Sequence, residues 1–158
     1  MVFVLSYLQA PLQALLRPAL WLGCLFGSLH SHKERWDTPG TPEENVRQLA
    51  AVVKEAEEHD PHRNTLDIHV ADSTSGFVRI FAFTKAEWLD VVEVKFRDNY
   101  GEAYSFSSGV LPVWFPFSFL VNCVLFWVPF LDMKLNQKRL ELLYTHMKKH
   151  SQLNSDNI

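Results

Sequence analysis

Residues 90–109, DVVEVKFRDNYGEAYSFSSG, decide the fold. In the first half, Val92, Val94 and Phe96 alternate with charged side chains, which is the period-two pattern of a strand with one buried face. The second half, EAYSFSSG, continues the alternation with aromatic side chains on one face. The short turn sequence DNYG joins the two halves, so together they predict an antiparallel β-hairpin.

Two more strands and two helices flank this hairpin in the sequence. TLDIHVA alternates apolar and polar residues, and GFVRIFAFT is rich in residues that favour strands. Before them, Thr41, Pro42 and Glu44 form the start of a helix, with an N-cap, a proline at the first position and a capping box. After the hairpin, DMKLNQKRLELLYTHMKKH has the spacing of an amphipathic helix. This order predicts an α+β fold in which an antiparallel sheet of about four strands is covered by two amphipathic helices.

Three pieces of the chain resemble the family of domains of unknown function numbered fourteen ninety-nine. They are LDVVEVKF with its acids Asp90 and Glu93, the serine-rich YSFSSG, and DMKLNQKRLELL at the start of the last helix. The resemblance covers about 65–144. It implies that the strands and the last helix belong to one domain, and it implies no activity.

The N-terminal segment, residues 1–33, has a polar stripe on an apolar background. Ser6, Gln9, Gln13 and Arg17 are spaced by three or four residues, so they share one side of a helix. The segment contains no acid and is rich in Leu, Ala, Phe and Trp. This pattern predicts an apolar helix in the membrane interface, or a spanning helix whose polar stripe meets a partner. A cleaved targeting segment also remains open.

Residues 110–131, VLPVWFPFSFLVNCVLFWVPFL, carry no charge and have the length of a membrane span. A single straight span would separate the strands from the last helix, which the resemblance places in one domain. We therefore expect a re-entrant or monotopic apolar hairpin, broken by Pro112, Pro116 and Pro129, with Asn122 near its turn. A single span and a segment of protein core or interface are the alternatives.

These two apolar segments supply the residues that we expect to insert into a membrane. They are aromatic side chains, and tryptophan in particular favours the membrane interface. The predicted set is Trp114, Phe115, Phe117, Phe119, Phe126, Trp127, Trp21 and Phe26.

The resulting domain organisation has four parts. We predict an apolar membrane-associating helical segment at 1–33, a linker at 34–40, the α+β domain at 41–150 with its apolar insert at 110–131, and a flexible tail at 151–158.

Composition excludes several functional classes. The net charge of −3 argues against nucleic-acid binding, which needs a basic face. The two cysteines lie apart, one in each apolar segment, without the spacing of a zinc knuckle or a disulfide framework. Gly-rich phosphate loops, GxSxG and CxxC are absent from the sequence.

A polar set near the last helix predicts a structural latch. Asp132 suits an N-cap, and Asn136 and Arg139 follow it at helical spacing. We expect Arg139 to tie this helix to the sheet through Asp90 or Glu93. A ligand-binding patch made by the same residues is the alternative.

No catalytic, cofactor or metal site is predicted. His146 and His150 are four residues apart on a helix and are able to share a metal ion, but the sequence places no third ligand beside them. Asp90 and Glu93 fall on opposite faces of a regular strand, which disfavours a catalytic carboxylate pair.

The sequence thus predicts a non-enzymatic, membrane-anchored accessory or scaffold protein that displays a small α+β domain at a membrane surface. Membrane lipids are its expected partners, together with possible protein partners in a membrane complex. A lipid or apolar-ligand carrier and an enzyme acting on a membrane substrate are the alternatives. Mitochondrial, plastid and endoplasmic reticulum membranes all remain open.

Overall fold

The computed structural model describes residues 2–21, 30–128 and 134–155. They form an antiparallel five-stranded sheet in the order β1-β5-β4-β3-β2 together with four α-helices. The strands are β1 Ser31–Asp37, β2 Thr65–Asp72, β3 Phe77–Phe83, β4 Leu89–Arg97 and β5 Tyr100–Ser107. The helices are α1 Val4–Leu16, α2 Pro42–Glu58, α3 Ser118–Val124 and α4 Leu135–Ser155, with a 3₁₀ turn at Pro18–Leu20. The predicted α+β class with an antiparallel sheet is confirmed.

The predicted hairpin is the β4–β5 pair at the centre of the sheet. Val94 pairs with Ala103, and Arg97 pairs with Tyr100 across a two-residue loop. Asn99 takes the left-handed conformation in this loop, with φ of 68°, which asparagine tolerates better than most residues. A local turn signal and alternating side chains therefore determine this part of the register.

The fifth strand, β1, corrects the predicted organisation. The sequence assigned residues 31–33 to the apolar segment and 34–40 to a linker, but residues 31–37 pair with β5 along its whole length. β1 buries Trp36 completely, and this ring stacks on Tyr144 of α4 at 5.1 Å. The sequence of β1 lacks the alternation of apolar and polar residues that predicts a strand. Lys33 and Arg35 occupy positions on one of its faces, where they lie over tyrosine rings of β5.

The two amphipathic helices α2 and α4 cover one face of the sheet, as predicted. The capping box at Thr41 and Glu44 is present at the start of α2. The main core lies between these helices and the sheet, and it includes Leu49, Val92 and Leu143. Helix α4 continues to Ser155, so residues 151–155 of the predicted tail are helical.

The second face of the sheet is covered by α1 and the described part of the apolar insert. A second core lies between this cover and the sheet. It is formed by Ala10, Ala14, Phe81, Phe83, Leu89, Val91, Phe106 and Val113. Within the apolar insert, residues 110–128 contain turns and one seven-residue helix, α3. Asn122 does not lie at a turn, as the sequence predicts, but inside α3. Its amide forms hydrogen bonds with the backbone of Leu111.

Among the residues that the structure describes, no helix combines the length and the apolar composition needed to cross a bilayer.

Candidate functional site

Helix α1 buries its polar side chains and exposes its apolar ones. Ser6 and Gln13 are fully buried, whereas Leu8 is 67% exposed and Leu15 is 73% exposed. A surface helix in water has the opposite arrangement, with its apolar stripe towards the core. The predicted polar stripe is therefore real, and it faces the interior of the protein.

The first polar residue of this stripe binds a buried carboxylate. The hydroxyl of Ser6 donates a hydrogen bond to Glu87, and the backbone N–H of Phe3 lies 3.2 and 3.3 Å from the two oxygens of the same carboxylate. Glu87 is only 6% exposed. A negative charge at this position satisfies free N–H groups and complements the positive end of the helix dipole. Glu87 thus fixes the start of α1 against the sheet.

Two glutamines continue the stripe and join α1 to the apolar insert. The amide of Gln9 donates to the carbonyl oxygens of Val113 and Phe115, at 2.8 and 2.9 Å. The amide of Gln13 donates to Ser108 Oγ at 2.8 Å and accepts from Ser118 Oγ at 3.3 Å. Buried amides with partners are stabilising, whereas unpaired ones are costly, so these bonds specify which side of α1 faces inward.

Arg17 ends the stripe with an ion pair. Its guanidinium lies 2.6 Å from Glu93 Oε1 and 5.0 Å from the centre of the Phe106 ring. Glu93 also pairs with Arg79, at 2.8 Å. Glu93 therefore belongs to the face of the sheet that α1 covers, and the prediction that it serves the latch of the last helix is wrong.

The described part of the insert is inverted in the same way as α1. Asn122 is 1% exposed, accepts from the Leu111 N–H at 2.8 Å and donates to the Leu111 carbonyl at 3.3 Å. A Cβ atom on Gly109 would collide with this amide, so only glycine fits there. On the other side of α3, Leu120 is 53% exposed and Val124 is 70% exposed. Both apolar elements therefore place amides inward and hydrocarbon outward.

These elements create what we call the outer apolar surface. Every exposed large apolar side chain among the described residues comes from 3–21, from 114–127 or from Trp88, whose indole N–H donates to the Val110 carbonyl at 2.8 Å. Its most exposed members are Phe3, Val4, Tyr7, Leu8, Leu12, Leu15, Trp21, Trp88, Trp114, Phe115, Phe117, Leu120, Val124 and Trp127. So many large apolar groups on one side mark an interaction site.

The predicted membrane-inserting residues mostly lie on this surface. Trp21, Trp114, Phe115, Phe117 and Trp127 are exposed.

Two more of the predicted residues, Phe119 and Phe126, are half-buried, and the Phe126 ring lies 5.5 Å from the ring of Trp21. Phe26 lies outside the described residues. The sequence did not single out Trp88 or the leucines of α1, although the polar stripe of α1 already defined the opposite side of that helix.

One thiol belongs to this region. Cys123 lies in α3, partly exposed, and burial raises the pKa of its thiol. A higher pKa leaves less of the reactive thiolate at neutral pH.

The predicted latch is formed on the opposite face of the sheet, and its partner in β4 is Asp90. Arg139 Nη2 lies 2.8 Å from Asp90 Oδ2, and the two side chains are only 3% and 6% exposed. Asn136 Oδ1 accepts from Ser105 Oγ at 2.6 Å and from Arg139 Nη1 at 3.3 Å. Asp132, the remaining member of the predicted set, lies outside the described residues.

The amide of Asn136 extends the latch to the end of β5. Its Nδ2 atom donates to Ser107 Oγ at 3.2 Å and to the carbonyl oxygen of His30 at 3.1 Å. The network therefore joins α4, β4, β5 and the residue before β1. The buried ion pair and these bonds engage the polar groups of Asn136 with partners inside the protein, which favours the structural interpretation of this set.

No protein-family model matches the chain, and no curated protein and no solved structure matches it significantly. The resemblance to family fourteen ninety-nine therefore stays a prediction.

Proposed function

We propose that this protein is a monotopic, membrane-associated scaffold or accessory domain without enzymatic activity. Its outer apolar surface rests in the interfacial region of one leaflet, and the face covered by α2 and α4 is displayed to water. The single observation that carries this proposal is the inverted burial of α1, whose buried Gln13 and 73% exposed Leu15 lie two residues apart.

The inverted helix is informative because water opposes it. Each partly exposed leucine or phenylalanine forgoes a corresponding part of the roughly 1.5–3 kcal/mol that full burial contributes. A bilayer interface removes this penalty, since an amphipathic helix buries its apolar side among the acyl chains. The same surface carries four of the five tryptophans, Trp21, Trp88, Trp114 and Trp127, which is the residue type most favoured at membrane interfaces.

The geometry of α1 favours a helix that lies along the surface. Its 13 residues extend about 20 Å. Hydrogen bonds and an ion pair hold its inner side to the protein at Ser6, Gln9, Gln13 and Arg17, from the first turn to just beyond the last. A helix fixed in this way presents its whole outer side to lipid at one depth, and α3 adds a second apolar contact beside it.

The same side chains favour attachment over the carrier alternative. A carrier encloses its ligand, so its large apolar side chains would line an inner cavity. Here Leu8, Phe117 and Trp127 point outward from the protein and are 67%, 66% and 61% exposed. An apolar surface of this kind also suits an apolar partner protein within the membrane, which is compatible with a scaffold role.

Flotation with vesicles tests attachment. The purified full chain is mixed with phosphatidylcholine vesicles at low and at high salt and then centrifuged in a density gradient. We expect it to float with the vesicles in both conditions, because apolar attachment does not depend on screened charges. Protein that stays at the bottom, or that is released by high salt, would contradict the proposal.

Labelling from one side tests the monotopic arrangement. Single cysteines are introduced at the exposed positions Asp98 and Lys138, before and after the insert, in protein with Cys24 and Cys123 replaced by serine. A membrane-impermeant maleimide added to one side of native membranes should label both or neither. Labelling of only one position would indicate that 110–131 spans the membrane. Stoichiometric extraction of lipid into a complex free of vesicles would support the carrier alternative instead.

A further inference from the structure

A second cluster lies between the two helices of the opposite face, independent of the proposed function. Helix α2 ends beside α4, and this brings together Glu55, His59 and His146. One potential ligand atom from each residue lies within 4.8 Å of the other two. We propose that these three side chains bind a divalent transition-metal ion, with Zn²⁺ as the type case.

His59 is already oriented for such a role. It is the residue that follows α2, and its Nδ1 lies 2.8 Å from the carbonyl oxygen of Glu55. A carbonyl oxygen only accepts, so Nδ1 carries a proton, and in the neutral form of the ring Nε2 then has the free lone pair. Metal-binding histidines are characteristically held in this way, with one nitrogen donating to a carbonyl group and the other on the metal.

His146 supplies a nitrogen that the protein leaves unsatisfied. Its side chain is 11% exposed, and its Nδ1 lies 3.3 Å from Glu55 Oε1. Among the described residues, no group gives this buried nitrogen a hydrogen bond of acceptable geometry. The rings of His59 and His146 lie 5.2 Å apart, centre to centre. A metal ion between them would provide the partner that this nitrogen lacks.

The donor set and its freedom to move suit a tetrahedral ion. Zinc binds imidazole nitrogen and carboxylate oxygen at about 2.0–2.2 Å, which places ligand atoms roughly 3.3 Å apart. The cluster must therefore contract by rotation of side chains. Glu55 is 40% exposed at its side chain, so its carboxylate is able to rotate towards the two imidazole rings. Water would complete the coordination, as in other sites with three protein ligands.

A lysine competes with the metal for the carboxylate. Lys149 Nζ lies 3.7 Å from Glu55 Oε1, on a side chain that is 65% exposed. A bound cation would repel this ammonium group, so metal binding requires the lysine to move into solvent. Removing the charge of Lys149 should therefore strengthen binding of the metal ion. If the cluster is only a surface ion pair, the same change would have no effect on metal binding.

Calorimetric titration of the full chain tests the site. The protein is treated with a chelator, dialysed, and titrated with ZnCl₂, and its thermal unfolding is followed with and without Zn²⁺. We expect one equivalent to bind and the melting temperature to rise, because the ion joins α2 to α4. His59→Gln and His146→Gln should each weaken binding at least about tenfold. Lys149→Gln should strengthen it.

Matched histidine variants make the test decisive. His62 lies three residues after His59, is also exposed and does not belong to the cluster, so His62→Gln should leave affinity unchanged. His59→Gln is the critical variant, since an exposed residue is replaced without risk to the core. Binding that survives His59→Gln, binding lost equally in His62→Gln, or no binding at all would overturn the proposal. Loss in His150→Gln with retention in His59→Gln would assign the metal to the His146 and His150 pair instead.

Discussion

Replacing three leucines on the outer side of α1 should release the protein from membranes without unfolding it. Leu8, Leu12 and Leu15 are 67%, 46% and 73% exposed and belong to the outer apolar surface. The variant Leu8→Gln, Leu12→Gln, Leu15→Gln keeps the length of each side chain and a good helix former at each position. The buried polar stripe of α1 is unchanged, so the helix should remain docked on the sheet.

The magnitude follows from these exposures. Together the three side chains expose roughly the surface of two complete leucines, and burying each leucine contributes about 1.5–3 kcal/mol. Interfacial burial is partial, so we take the lower end, about 3 kcal/mol. This corresponds to a decrease of about 100-fold in the vesicle partition coefficient.

The assay is partitioning into phosphatidylcholine vesicles, measured as bound fraction against lipid concentration, with urea unfolding of each variant in parallel. The matched control changes three exposed positions of α2, as Glu43→Gln, Ala51→Gln and Glu58→Gln, and should partition like the wild type. A triple leucine variant that stays folded and partitions within twofold of the wild type would refute the reasoning.

Three further predictions concern the interior and the thiol of α3. Gln13→Leu should lower the free energy of unfolding by about 1–3 kcal/mol although it makes α1 more apolar, because its buried hydroxyl partners lose their amide; a urea melt that showed greater stability would contradict the inverted helix. Arg139→Ala should lower the free energy of unfolding by about 3–5 kcal/mol, since it leaves a buried carboxylate unpaired. As a control, Arg47→Ala in the exposed ion pair with Glu43 should change the free energy of unfolding by less than about 1 kcal/mol. Equal effects of the two substitutions would contradict the latch. Burial raises the pKa of the Cys123 thiol, so Cys24→Ser protein should react with a maleimide more slowly than free cysteine at pH 7 and approach its rate as the pH rises; equal rates at pH 7 would argue against burial of the thiol.

The orientation of α1 is the point at which sequence reasoning needed the structure. The spacing of Ser6, Gln9 and Gln13 predicts that they share one side, and this is confirmed. Which side faces inward depends on partners that are distant in the sequence, such as Glu87 and the backbone carbonyl of Val113. Periodicity shows which residues share one side of the helix, but it does not show whether protein or solvent contacts that side.

β1 escaped prediction for a different reason. Its sequence SHKERWD has one large apolar residue, Trp36, and it is held in place by pairing with β5, by cation–π contacts and by hydrogen bonds between Asp37 and Tyr144. Strand formation here depends on a free edge supplied by residues about 70 positions further along the chain. The local sequence of residues 31–37 contains no information about this distant strand edge, so it does not predict the pairing.

The latch partner, in contrast, was within reach of the sequence. Asp90 has the same parity as Val92 and Val94, which point to the helix-covered core, whereas Glu93 has the opposite parity. Strand periodicity alone therefore separates the two acids. The form of the insert is harder to predict, because an asparagine in an apolar sequence suits a turn as well as a buried amide that pairs with backbone, as Asn122 does with Leu111.

The central claim, that the outer apolar surface lies in a membrane, is tested most directly by tryptophan fluorescence. Trp127 is 61% exposed on this surface, whereas Trp36 is fully buried on the opposite face of the sheet. Two single-tryptophan proteins, one keeping each residue with phenylalanine at the other four positions, are bound to vesicles whose acyl chains carry bromine. The account predicts strong quenching of Trp127 and little quenching of Trp36. No quenching of Trp127, or equal quenching of both, would contradict it.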